Sequence, residues 1–373
     1  MQVGVPKEIK NNEFRVGLTP GSVREYVAHG HRVLVETGAG AGVRASDRDY
    51  EAAGAAIAPD AATVFARSDM IVKVKEPQPS EIVLLREGQI LYAYLHLAAG
   101  AELTKGLLKS GVTALAYETV TDERGGLPLL APMSEVAGRL SIQAAAHALT
   151  AMQGGRGLLM GGAPGVLPAR ALVIGGGVVG LHAARMAAGL GADVVVLDRN
   201  LRRLAELDDI FGGRVKTRYS TFEALDEETA AADVVIGAVL IPGASAPKLV
   251  SRAMLKGMKA GAVLVDVSID QGGCFETSHP TTHAAPTYVV EGVVHYCVTN
   301  MPGAVPLTAS HALNNATLLF GLALADKGIS ALKENRHLRN GLNAHRGKVT
   351  HPAVAEALGY DYTPPEGALN SPH

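Results

Sequence analysis

Apolar residues in this chain fall into short runs, and between the runs apolar and polar positions recur with helical spacing. Val3–Pro6, His31–Glu36, Met70–Val74, Ile90–Ala93 and Val112–Ala116 read as short strands. Thr19–Gly30 and Glu102–Ser110 read as helices between them. Thr19 suits an N-cap, Pro20 the first helical position and Gly30 the C-terminal end. This alternation predicts a parallel sheet with helices over residues 1–128. A long Ala-rich helix is expected from Ser134 to about Met152, with Ser134 as N-cap just after Pro132. Further strands follow at Ala171–Ile174, Asp193–Leu197, Val234–Ala238, Val263–Asp266 and Val289–Val290, giving a second unit over residues 129–305. Past the Gly- and Pro-containing stretch Asn300–Ser310 the pattern turns helical to Lys327, which suggests that residues 306–373 return to the first unit. The crossovers, Leu127–Ser134 and Asn300–Thr308, would then form a hinge.

One stretch of the second unit carries a specific chemical signal. After the apolar run Ala171–Ile174 come Gly175, Gly177 and Gly180 in G-x-G-x-x-G spacing, then the helical segment Leu181–Leu190, then a strand ending in Asp198. The first glycine permits a tight turn, the second lets backbone approach a pyrophosphate, and the third lets helix pack on strand. Phosphates would sit at the helix N-terminus, where free N–H groups and the dipole favour negative charge. Asp198 stands where a carboxylate can accept from the ribose hydroxyls, which points to NAD. Arg199, Arg202 and Arg203 lie close behind and could serve a 2′-phosphate, so NADP stays open. A Gly-rich turn without a ligand is the plainer alternative in a chain with 43 glycines, but here every part of the unit appears in order. The fold class is therefore α/β: two doubly wound (Rossmann-like) domains with parallel sheets, and a cleft between them where substrate meets cofactor.

Composition narrows the partners. The chain has 373 residues and a formal net charge of −2, which gives no reason to expect nucleic acid or an anionic membrane. The charged N-terminal segment does not resemble a signal peptide. No uninterrupted apolar stretch of membrane-spanning length occurs, so no membrane partner is expected. Cys274 and Cys297 form no C-x-x-C pair and suit buried thiols in a reducing cytosol. Cys274, His279 and His283 have loose metal-ligand spacing but lack a fourth ligand, and no metal is expected.

Candidate substrate chemistry lies in the first unit. Arg15 sits in the polar loop NNEFRVGLTP. Lys73 and Lys75 end the run IVKVKEP, and His96 follows ILYAYLHLA. In a parallel sheet the C-terminal ends of strands face the ligand crevice. Cations there suit a small acid, and an imidazole can give and take a proton near neutrality. In the second unit Asp266 ends a strand and Asp270 lies just beyond it.

These residues resemble a known family. VGVPKEIKNNEFRVGLTP, VKVKEP, YLHLA, GGGVVG with Asp198, VDVSIDQGGCFETSHPTTH and MPGAVPLTAS are together similar to L-alanine dehydrogenases over nearly the whole chain. The N-terminal signature is shared with the nucleotide-binding subunit of nicotinamide transhydrogenase. The resemblance implies reversible NAD-dependent conversion of L-alanine to pyruvate and ammonium in a cytoplasmic homohexamer. It implies that Arg15 and Lys75 hold the substrate, that His96 is the acid/base, and that Asp270 assists water and proton movement. Tyr94 and Met133 would line a pocket for a methyl group. Cofactor contacts would come from Ser134, Gly175, Gly177, Val178, Val179, Gly180, Asp198, Arg203, Ser220, Val239, Leu240, Ile269, Asp270, Asn300 and Met301. A transhydrogenase nucleotide-binding subunit, another amino-acid dehydrogenase of the same family, and a silent NAD-binding module are the rival readings.

Overall fold

The computed structural model describes residues 1–239 and 246–370. Strands are numbered in chain order. β1 (Gln2–Val5), β2 (Arg32–Glu36), β3 (Ala56–Ala58), β4 (Met70–Val72), β5 (Ile90–Ala93) and β6 (Thr113–Ala116) come first. β7 (Arg170–Ile174), β8 (Asp193–Asp198), β9 (Val215–Tyr219), β10 (Val234–Gly237), β11 (Val263–Asp266), β12 (Thr287–Val290) and β13 (Val293–Tyr296) follow. β14 (Leu342–His345) and β15 (Lys348–Val349) close the series. The chain divides into two compact units, Met1–Met133 with Val305–His373, and Ser134–Ala304.

The first unit holds an eight-stranded sheet in the order β15-β14-β6-β5-β4-β1-β2-β3. β1 to β6 pair in parallel, and only β14 and β15 run against their neighbours. From β1 the chain winds out through β2 and β3, then crosses back to β4 and winds the other way. That reversal makes a switch point between the C-terminal ends of β1 and β4, where open α/β sheets bind ligands. The helix Pro20–Ala28 begins as its sequence predicts, with Thr19 accepting from the Ser22 N–H and Pro20 in the first turn.

The second unit repeats the plan with seven strands, β12-β13-β11-β10-β7-β8-β9, and its switch point lies between β7 and β10. Its central strands are apolar on both faces because both faces are covered. Ala171, Val173, Val194, Val196, Val234 and Ile236 join one core. Leu172, Ile174, Val195, Leu197, Val235 and Leu264 join the other. The residue-by-residue alternation between two cores is what a strand of period two delivers when helices lie on each side. β12 and β13 form an antiparallel hairpin through Glu291 and Gly292, both at positive φ.

One expected boundary is wrong. The long helix starts at Ala131, not after Ser134, and ends at Ala148. Pro132 is accommodated in the first turn, where its missing N–H costs nothing, so Ser134 lies inside the helix and is no N-cap. Among the described residues, no helix is long and apolar enough to cross a membrane.

Candidate functional site

In the first unit, the loops after β1, β4 and β5 bring the predicted cations and the imidazole to one sheet edge. Arg15 follows β1 and is buried. Glu13 grips it in a fork: Nε donates to Oε1 at 2.7 Å and Nη2 to Oε2 at 2.5 Å. Burial disfavours the guanidinium charge, but the hydrogen bonds and charge of Glu13 outweigh it and raise the pKa. Arg15 Nη1 also donates to Met133 Sδ at 3.0 Å, so the Met133 side chain sits against the guanidinium.

The two lysines beyond β4 part company. Lys73 is fully buried between two carboxylates, with Glu81 at 2.7 Å and Glu8 at 3.2 Å. Glu8 also accepts the Val74 N–H at 2.7 Å. Lys73 is thus a structural cation that ties down the segment leading to Lys75. Among the described residues the Lys75 ammonium has no hydrogen bond and no ion pair. Burial, then the nearby charges of Arg15 and Lys10, lower its pKa. Glu76 and Glu13 offset this only in part, and a cation with no bonded carboxylate beside a second cation is a place for an anion.

Beyond β5, Tyr94 is buried and donates its hydroxyl to the Leu129 carbonyl at 2.5 Å. Its ring lies parallel to His96, with centroids 6.0 Å apart. The His96 side chain is half exposed. Its backbone stands at φ 49°, ψ 41°, the left-handed region that side-chain-bearing residues rarely adopt. Such strain concentrates at functional positions. Glu118, from the turn after β6, accepts the His96 backbone N–H at 2.6 Å. Neither Glu13 nor Glu118 stands out in the sequence. Only the pairing of β5 with β6, and the fold-back of the loop after β1, bring them to the site.

The second unit presents a different edge. Gly175 stands at φ +101°, and the helix Val178–Gly189 opens at Gly177. A Cβ on Gly180 would lie 1.8 Å from the Gly175 carbonyl oxygen, so glycine there is a packing requirement. A Cβ on Gly177 would meet no protein atom within 4 Å. The space beside Gly177 is therefore open, at a helix N-terminus whose cap has no side chain to satisfy it. Asp198 ends β8, and its carboxylate accepts from Gly176 N–H at 2.7 Å and Asn200 N–H at 2.8 Å. Arg203 reaches back with Nε to the Gly176 carbonyl at 2.6 Å. With Asn200, Arg202 and Glu206, these residues line a hollow of about 430 Å³. An open backbone cradle with a carboxylate beside it fits a dinucleotide.

The other predicted contacts follow the neighbouring strands. Val178 and Val179 begin the helix after Gly177. Ser220 follows β9 and donates its N–H to the Asp198 carbonyl at 3.0 Å. Val239 follows β10, and its carbonyl accepts from Ser268 Oγ at 2.7 Å. Leu240 lies outside the described residues. Ile269 is buried and Asp270 exposed in the turn Val267–Gln271 beyond β11. Asn300 stands at φ 56°, followed by buried Met301. Asp266 shapes the turn beyond β11, accepting from Ser268, Cys274 and Phe275 N–H groups and from Ser278 Oγ. Cys274 Sγ points to the same carboxylate at 3.6 Å, and His279 stacks on Tyr288. Among the described residues, no group of three His, Cys, Asp or Glu side chains is arranged to hold a metal ion.

Two open, mostly parallel sheets, one with charged side chains and the other with a glycine cradle at the switch point, define a two-unit α/β protein of the nucleotide-binding kind. Residues 4–137 match the family described as "Alanine dehydrogenase/PNT, N-terminal domain". Residues 141–352 match its "C-terminal domain". The chain belongs to the alanine dehydrogenase/PNT family. It is 61% identical to a protein named "Alanine dehydrogenase" from Halomonas elongata, over 97% of this chain and 98% of that one. A solved L-alanine dehydrogenase structure superposes with a TM-score of 0.94 at 53% identity, covering 96% of this chain and 99% of that one. A transhydrogenase structure from Sinorhizobium meliloti is more distant, with a TM-score of 0.80 at 29% identity over 95% of this chain and 100% of that one.

Proposed function

We propose that this protein is an NAD-dependent L-alanine dehydrogenase, converting L-alanine, NAD⁺ and water reversibly to pyruvate, ammonium, NADH and a proton. The observation that carries the reading is the Lys75 ammonium, which has no bonded partner among the described residues and lies beside Arg15, at the sheet edge that also holds Tyr94 and His96. The unit of residues 1–128 and 306–373 takes the substrate, and that of 129–305 takes the cofactor.

Arg15 and Lys75 hold the substrate carboxylate with charge-assisted hydrogen bonds. Lys75 also polarises the carbonyl oxygen as negative charge develops on it. Tyr94 and Met133 bound the space for the methyl group. The bound nicotinamide supplies the hydride acceptor for the substrate Cα. His96 takes a proton during deamination and returns it in the amination direction. Asp270 assists the movement of water and protons. Gly175 to Gly180, with Ser134, Arg203, Ser220, Val239, Leu240, Ile269, Asn300 and Met301, hold the cofactor, and Asp198 favours NAD over NADP. The protein works as a cytoplasmic homohexamer, without nucleic acid, membrane or metal.

The test is NADH oxidation by the purified protein with pyruvate, with and without ammonium. Ammonium-dependent oxidation with alanine as product is expected. Oxidation without ammonium would indicate a hydroxy-acid dehydrogenase. NADH binding with no consumption of keto acid would favour the hydride exchange that the transhydrogenase likeness suggests.

A further inference from the structure

The carboxylate of Glu118 has no part in the chemistry just described, yet its geometry is specific. Glu118 lies in the short turn Tyr117–Thr119 after β6, and β5 pairs with β6 so that Ala93 stands opposite Ala116. That register sets Glu118 beside the turn carrying Leu95 and His96. Oε1 accepts the His96 N–H at 2.6 Å, and both oxygens stand 3.3 Å from the Leu95 nitrogen. The same Oε1 lies 3.9 Å from His96 Nδ1. The Glu118 side chain is 13% exposed, against 50% for His96. A well-anchored acceptor thus faces a half-exposed ring on a strained turn, and the Tyr94 ring lies parallel to the imidazole with centroids 6.0 Å apart.

We propose that Glu118 is the positioning residue for His96, holding its left-handed turn through two backbone N–H groups and offering an acceptor to Nδ1 so that Nε2 serves the substrate. The inference rests on the reading of His96 as the acid/base. The physical argument is local. Without the acceptor, two N–H groups lose their partner, and the disfavoured backbone at His96 keeps only the hydrogen bond from the Ala99 N–H to its carbonyl. The ring would then leave the narrow range of positions from which proton transfer is efficient. The 3.9 Å gap is beyond a hydrogen bond, but such contacts commonly tighten only once substrate is bound.

The test compares Glu118→Gln, Glu118→Asp and Glu118→Ala in the full-length protein. A glutamine oxygen reaches as far as Oε1 and can accept the same N–H groups; an aspartate carboxylate is one methylene short. Glu118→Gln should keep kcat within about threefold, while Glu118→Asp and Glu118→Ala should lose about 10–100-fold, the scale of a small misplacement of a catalytic group. NADH affinity should stay within about twofold in all three, since the cofactor contacts are untouched. In a His96→Ala background, Glu118→Ala should cost less than about twofold, because residues that act as one unit are not additive. Wild-type kcat in Glu118→Asp, equal losses in Glu118→Asp and Glu118→Gln, or the same fold loss with and without His96, would overturn the assignment. If Glu118→Ala does not fold, or His96→Ala turns over too slowly to compare, the order of Gln over Asp decides. Normal turnover in His96→Ala alone would instead remove the reading beneath the proposal.

Discussion

The two units share one winding order but use their switch points in opposite ways. At the first, the loops after β1, β4 and neighbouring β5 carry long charged and aromatic side chains: Arg15, Lys75, Tyr94 and His96. At the second, between β7 and β10, side chains are withdrawn, and Gly175, Gly177 and Gly180 leave backbone and space. A substrate recognised by its carboxylate and by a proton needs functional groups. A pyrophosphate needs N–H groups, a helix terminus and room. The same topology supplies the edge in both cases, and what the loops carry decides the chemistry.

The sharpest break between the edges is catalytic. His96→Ala should lower kcat about 10²–10⁴-fold, the range for a general acid/base, with NADH affinity unchanged. Titration of NADH by fluorescence alongside steady-state rates checks both halves. A parallel loss of NADH binding would mean that the first edge also builds the cofactor site.

The lysines sharpen the contrast within the first edge. Lys73→Met strands Glu8 and Glu81 without their buried cation, and breaking a buried pair in this way costs about 3–5 kcal/mol. Its signature is a melting temperature lower by several degrees. Lys75→Gln removes no ion pair, so stability should hold, while kcat/KM for pyruvate falls roughly 10²-fold with the loss of charge at the carbonyl. Because burial and Arg15 lower the Lys75 pKa, pyruvate affinity in the unaltered protein should weaken with rising pH before an ordinary lysine would deprotonate. Two lysines with exchanged signatures would refute the assignment.

Much of this was legible in the sequence, for a physical reason. Strands buried on both faces must be apolar throughout, so β5, β7, β8, β10 and β11 stand out as runs and match their expected spans to within a residue or two. β9, with the sequence VKTRY, is a half-exposed edge strand and carries no such run. β3 is three residues of alanine and isoleucine. The expected strand Val289–Val290 is the end of β12, and β13 is not foreseen, because only the two-residue turn Glu291–Gly292 separates the two strands. The helix begins at Ala131 and not at Ser134, because Pro132 suits its first turn as well as Ser134 suits a cap. Among the candidate residues, the sequence does not separate Lys73 from Lys75, since both follow β4 in the same pattern. Only the positions of Glu8 and Glu81 decide which cation is spent.

The second edge can be broken by a single methyl group. Gly177→Ala places its Cβ in open space, so the fold and melting temperature should not change. NADH binding should weaken about 10–100-fold if the methyl displaces a phosphate from one charge-assisted hydrogen bond worth about 1.5–3 kcal/mol. Gly180→Ala drives its Cβ into the Gly175 carbonyl and should lower stability itself, by about 1–3 kcal/mol or more. Calorimetry with and without NADH separates the two. Equal behaviour of the two variants would mean that the Gly177 opening is not where the phosphates lie.

The smallest expected effect concerns Asp198. Its two oxygens already accept the Gly176 and Asn200 N–H groups, which orients the carboxylate and leaves a lone pair on each oxygen for a ribose hydroxyl. Asp198→Ala therefore does two things at once: it removes the ribose acceptor and unties the glycine loop. The first weakens NADH, and both the second and the first also touch NADPH. The difference between the cofactors isolates the charge. Removing the carboxylate relieves its repulsion of a 2′-phosphate, with Arg199, Arg202 and Arg203 close by in the chain. The ratio of NADPH to NADH affinity should rise about tenfold, some 1.4 kcal/mol. Asp198→Asn keeps one acceptor for the loop and should show the same shift in ratio with a smaller loss of overall affinity. If the unaltered protein already uses NADPH as well as NADH, Asp198 is a loop anchor and not a selector.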